Sequence, residues 1–96
     1  MLAYVLLGVQ PNTEEKVYDK LKKLKEVRQV NLMFGSWDVL AMVEVASTQA
    51  LNEFMLEKIR KLPEVSLTAT MIVAKWDSWK GFKLILYLLG ITFLYF

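Results

Sequence analysis

The chain of 96 residues predicts an α+β fold, a ferredoxin-like βαββαβ sandwich, and three observations carry that expectation. Apolar residues recur continuously or at period two in four segments and at helical spacing in two, in the order strand, helix, strand, strand, helix, strand. The two halves echo each other: Lys23-Leu24-Lys25-Glu26-Val27 recurs as Lys61-Leu62-Pro63-Glu64-Val65, each joining a helix to the next strand. The first and third strands lack a polar face. Burial on both faces places them at the centre of the sheet, with the second and fourth at its edges, as right-handed crossovers require.

Leu2 to Val9 is an uncharged run rich in Val, Leu and Tyr, ended by Gln10-Pro11-Asn12, and reads as a strand followed by a turn. Asn12 is the expected cap of the first helix, with Glu15 reaching back to it and Glu14 beside the positive helix end. Val17, Leu21 and Leu24 form its apolar stripe, and five charged residues occupy the other faces. From Val27 to Phe34 the apolar Val30, Leu32 and Phe34 alternate with Gln29, Asn31 and Met33, the period of a half-covered strand. Gly35-Ser36-Trp37 makes a turn, and Asp38 opens a strand from Val39 to Val45 whose only charge is Glu44. Ser47 or Thr48 caps a second helix with the stripe Leu51, Phe54, Met55, Ile59 and Leu62, stopped by Pro63. The last strand, Val65 to Val73, alternates through Leu67, Ala69 and Met71.

Two helices cover one face of a four-stranded sheet, so the other face needs a second cover. Each large apolar side chain left wet would forfeit roughly 1.5–3 kcal/mol. The expected cover is a second copy packed sheet to sheet, giving a dimeric α/β barrel. The alternative is the C-terminal tail folded back over that face.

With no Cys and no His, the chain has no disulfides, thiol nucleophiles, imidazole bases or zinc sites built on those ligands. No serine has a plausible base partner, and the carboxylates are spread over helix surfaces, so no catalytic constellation, metal or cofactor is expected. Residues 1–74 carry nine Lys/Arg and nine Asp/Glu, which leaves no basic footprint for nucleic acid. Asp38 has two readings: turn chemistry, accepting nearby backbone amides, or facing an amine while the amides of Gly35, Ser36 and Trp37 meet an anionic group.

Gly35-Ser36-Trp37-Asp38 followed by Val39-Leu40, the Leu62-Pro63-Glu64-Val65 helix exit, and Thr68-Ala69-Thr70 followed by Met71-Ile72-Val73 together resemble the effector (RAM) domain of the Lrp/AsnC family of feast/famine transcriptional regulators. The likeness covers residues 1–74, taken as the effector-binding domain, with 75–96 as an extension. It implies a domain that binds amino acids or similar small effectors between subunits and assembles as homodimers and up to octamers. It assigns Gly35 and Asp38 to the effector site, with Ser36 and Trp37 as loop members and Thr68 and Thr70 as the matching strand threonines. Full-length members carry an N-terminal helix-turn-helix, whereas this sequence starts at the first strand. The expectation is a stand-alone effector domain that modulates a full-length Lrp/AsnC regulator without touching DNA. The alternatives are a small dimeric ferredoxin-like enzyme of monooxygenase or isomerase type, with Tyr4 and Trp37 as available aromatics, and a membrane-tethered interaction module.

The tail does not share the pattern. Trp76, Trp79, Lys75, Lys80 and Lys83 precede an uncharged run over 84–96, too short as a helix for the roughly 30 Å of a bilayer core. It reads as a membrane contact, as a helix or extra strand packed in the oligomer, or as a bare extension. The lack of Cys and of a secretory signal fits the cytoplasm.

Overall fold

The computed structural model describes residues 1–75 and a backbone strand at Thr92–Leu94. Strand β1 (Leu2–Val9) leads to helix α1 (Glu14–Lys22), then to β2 (Val27–Phe34) and β3 (Val39–Glu44). Helix α2 (Thr48–Phe54) runs into a π-helical turn at Met55–Ile59, followed by β4 (Val65–Ile72) and β5 (Thr92–Leu94). The antiparallel sheet has the order β4-β1-β3-β2-β5, so β1 and β3 lie inside it as their double apolarity demands.

Side chains that alternate along a strand divide the interior into two layers. Ala3, Val5 and Leu7 of β1 and Val39, Ala41 and Val43 of β3 face Val17 and Leu21 of α1 and Leu51, Phe54, Met55 and Ile59 of the second helical segment. Tyr4, Leu6, Met33, Leu40 and Met42 form the other layer, flanked by Leu2, Trp37, Ala69, Met71 and Val73. No helix contributes to that second layer among the described residues. Even so, Leu40 and Met42 are only 0% and 1% exposed in one chain. This corrects the premise that a lone copy leaves the face wet: a partner is not needed to bury it.

Three local expectations are also corrected. The residue preceding α1 is Thr13, without a side-chain cap bond; its hydroxyl instead donates to the Gln10 carbonyl at 2.6 Å. Asn12 sits at φ +67°, a left-handed conformation that Asn tolerates and that takes it out of the capping position. Strand β2 is not an edge along its last residues, because Leu32, Met33 and Phe34 pair with Leu94, Phe93 and Thr92. The extra strand foreseen for the tail therefore extends the chain's own sheet, while the membrane reading of the remaining tail residues lies outside the described residues. Phe34 and Leu67, both assigned to apolar faces, are each 65% exposed. Phe34 lies beyond the last β2–β3 pair, and Leu67 is paired with Gly8, which has no side chain to pack against. Ser47 caps α2 as foreseen, accepting from the Ala50 amide at 3.1 Å.

Three ion pairs tie the helices to the strand entrances. Lys20 and Lys16 of α1 reach the buried Glu64 at 3.1 and 3.4 Å, and Lys58 of the π-turn reaches Glu26 at 3.2 Å. The hydrogen bond from Lys20 holds the Glu64 carboxyl below the ordinary carboxylate range; desolvation opposes this, and its backbone bond and Lys16 reinforce it. A lowered folded-state value means that the unfolded chain binds the proton more readily, so this stabilisation is complete above the usual Glu value of about 4.3 and disappears as pH falls through the folded-state value. Glu64→Gln is therefore expected to lower the urea midpoint at pH 7, and the gap from the parent chain is expected to narrow at pH 3. Equal gaps at both pH values would show that the pair contributes nothing through its charge.

Candidate functional site

The β2–β3 connection is fixed by Asp38. Its amide donates to the Leu7 carbonyl at 3.0 Å, and its carbonyl accepts the Met33 amide at 2.9 Å. Its carboxylate Oδ2 accepts the Val9 amide at 2.9 Å. Val9 follows a register slip between Gly8 and Val9, and such a bulge takes a backbone group out of the regular ladder. The carboxylate thus meets a backbone amide, as the structural reading of Asp38 held, but the amide belongs to β1 and not to the turn. One carboxylate oxygen is used in this way, and a carboxylate has further acceptor positions.

Gly35 adopts φ +125°, and a Cβ built on it would meet nothing within 4 Å. Backbone conformation, not crowding, selects glycine here. Ser36 is exposed, and Trp37 is half-buried against the second apolar layer, so the ring acts as a wall of the core. Gly35 and Asp38 open onto a cavity of about 380 Å³ shared with Glu14, Glu15, Leu32, Met33 and Phe34. Among the described residues its charged lining is acidic: Glu14 and Glu15 from the start of α1, and Asp38. Ser36 and Trp37 do not line it.

Thr68 and Thr70 lie elsewhere. They stand on β4 opposite Leu7 and Val5, on the helix side of the sheet, and line a cavity of about 390 Å³ between β4 and the second helical segment. Thr48, Leu51, Asn52, Met55, Leu56, Arg60 and Ile72 complete that cavity. The Thr70 hydroxyl makes only a long contact of 3.9 Å to the Met55 sulfur, which leaves most of its hydrogen-bonding capacity unspent. The structure therefore brings Gly35 and Asp38 together and Thr68 and Thr70 together, but keeps the two pairs in different cavities of one chain.

Sequence reasoning missed Glu14 and Glu15 on the turn side, and Thr48, Asn52 and Arg60 beside the threonines. Both glutamates were read as complements to the helix dipole, which they are, and Glu15 also as a capping partner of Asn12. The four-residue spacing of Thr48, Asn52, Leu56 and Arg60, off the apolar stripe, was the available signal. Among the described residues no three metal-ligating side chains converge, and no helix is long and apolar enough to cross a membrane.

Comparison with known proteins gives a consistent picture. A family model described as the Lrp/AsnC ligand binding domain matches residues 2–76. An uncharacterized HTH-type transcriptional regulator of Pyrococcus furiosus is 32% identical over 79 residues, which cover 82% of this chain and 53% of the relative. The crystal structure of FFRP-DM1 superposes with a TM-score of 0.73 at 35% identity, covering 75% of this chain and 96% of that one. Escherichia coli AsnC shares the fold, with a TM-score of 0.76 at 22% identity over 80% of this chain and 52% of that one. The chain spans about half the length of the curated relatives it matches.

Replacing Asp38 tests its structural share. Asp38→Ala leaves the Val9 amide without its acceptor and is expected to cost about 1–3 kcal/mol in urea unfolding. Asp38→Asn keeps an accepting oxygen and is expected to cost less. Gly35→Ala is expected to cost about 1–3 kcal/mol through backbone strain alone. Unchanged midpoints for both Ala variants would mean that the turn tolerates either loss.

Proposed function

The chain belongs to the Lrp/AsnC ligand-binding domain family, and from that premise we propose that it is an effector-sensing module: it binds an amino acid or similar small molecule and acts by assembling with other copies. Residues 1–74 are the effector-binding unit, and 75–96 an extension to it. The module performs no catalysis. Its output is modulation of a full-length Lrp/AsnC regulator that shares the same interface, and the evenly balanced charge of residues 1–74 favours a partner other than nucleic acid.

One observation carries this reading. Gly35 and Asp38 line one cavity of the chain and Thr68 and Thr70 another, although the family resemblance assigns all four to a single effector site, so a site that uses both pairs is completed by a second copy. Each half is rimmed by exposed apolar side chains, Phe34 at the turn and Leu56 and Ile72 at the threonine cavity, a pattern that suits surfaces buried on association. The outer side of β4 has no partner strand among the described residues. Assembly beyond the dimer, up to an octamer, follows naturally for a chain that offers one half-site at the β2–β3 turn and the other at the β4 margin.

Complementation between two defective chains tests the shared site. Calorimetric titration with the twenty amino acids is expected to find at least one ligand for the parent chain. That heat is expected to disappear with Asp38→Asn and, separately, with Thr68→Val/Thr70→Val. Mixing and refolding the two variants together is expected to restore part of it, because some interfaces then join an intact turn to intact threonines. Failure of the mixture to bind, while the parent does, would place the whole site within one copy and end the shared-site proposal.

A further inference from the structure

We propose that Arg60 recognises the carboxylate of the effector, in the cavity between β4 and the second helical segment; this rests on the effector reading above and specifies its chemistry. Among the described residues, Arg60 is the only charged one lining that cavity. Among the described residues it forms no ion pair, whereas Lys16, Lys20, Arg28 and Lys58 are all paired with carboxylates. Beside it are the amide of Asn52 and the hydroxyls of Thr68 and Thr70, and the remaining wall includes Leu51, Met55 and Ile72. A cavity of about 390 Å³ with one fork-shaped cation, a few neutral hydrogen-bonding groups and an apolar wall fits a small amphipathic carboxylate.

The π-turn explains how Arg60 comes to be there. Four residues of α-helix overshoot a full turn by about 40°, so a stripe spaced by four drifts steadily around the axis. The Arg60 amide bonds the Met55 carbonyl at 2.9 Å, five residues back, and this wider turn winds less per residue. The drift is taken back, and Thr48, Asn52, Leu56 and Arg60 all stay over β4. Ile59 meanwhile remains fully buried on the core side.

The other half-site has the complementary charge. Glu14, Glu15 and Asp38 line the turn cavity, with no cation among its described lining residues. An α-amino acid held between two copies would then lie with its ammonium towards the acidic turn of one and its carboxylate against Arg60 of the other. Ligand orientation, and the requirement for a free carboxylate, follow from this arrangement.

The test uses the full chain, with the amino acids, their carboxamides and branched aliphatic carboxylates lacking an amine as probes. Titration calorimetry measures affinity, and the Arg Nε–H resonances in NMR localise the contact. Arg60→Gln is expected to weaken the binding of acids at least about tenfold. Arg60→Lys, which keeps the charge and loses the fork, is expected to fall between. Neither change is expected to move the thermal midpoint, since the side chain is exposed and unpaired among the described residues. Carboxamides are expected to bind weakly and with no dependence on Arg60. If Arg60→Gln binds the acids as the parent does, or if carboxamides bind as tightly as acids, the inference is overturned. Arg60-dependent binding of simple carboxylates without binding of any amino acid would uphold the inference and overturn the amino-acid reading. Binding of no probe would overturn both.

Discussion

Strands β1 and β3 are apolar on both faces, and the architecture follows from the need to dry both. Six of their side chains point to the helix layer and four to the layer beneath, all nearly or fully buried. At roughly 1.5–3 kcal/mol for each large apolar side chain, leaving either face in water would consume much of the 5–15 kcal/mol that a domain of this size has in total. Among the described residues, none of these ten side chains lines either cavity; the polar and charged groups that do stand at the β2–β3 turn with the start of α1, and beside β4. The separation of the two cavities is thus a consequence of the same double apolarity that sets the strand order.

Electrostatics gives the two margins different characters. Lys16 and Lys20 are drawn onto Glu64, and Lys58 onto Glu26, so the cations near the helix–sheet seams already have carboxylate partners. These pairs fasten α1 to the start of β4 and the π-turn to the entrance of β2. Arg60, two residues after Lys58, has no such partner among the described residues, and the turn cavity gathers three carboxylates. A molecule carrying both signs of charge finds a complementary group at each margin, and no single copy presents both groups in one cavity. On the proposed reading, sensing and assembly are linked by geometry: association would complete the site, and the ligand would stabilise the associated form in proportion to its preference for it.

Much of this was legible in the residue order, and the failures have identifiable causes. The doubly apolar runs Leu2–Val9 and Val39–Val45 located the central strands, because only burial on both sides explains the absence of a polar face. Gly35 was legible as a turn residue and is found at φ +125°. Asn12 was misread as a cap, since Asn serves equally well in the left-handed conformation it adopts here. Phe34 and Leu67 were misplaced because period-two patterning says which face a residue points to, and not whether a neighbour stands there. Arg60 was signalled only as the last member of the spacing Thr48, Asn52, Leu56, Arg60; that these four stay on one face depends on a π-turn that the helical period conceals.

The sequence by itself determined the order of elements, the central strands, the exclusion of thiol and imidazole chemistry, and the family to which the chain belongs. Those features depend on local period, residue type and short-range spacing, which are written along the chain. Only the tertiary structure decided that the turn and the threonines stand in separate cavities, that Asp38 holds Val9, and that the second apolar face is buried in one copy. Each of these is a relation between segments distant in sequence, set by strand register and by the volume that packed side chains leave over, and neither quantity exists until the chain has folded.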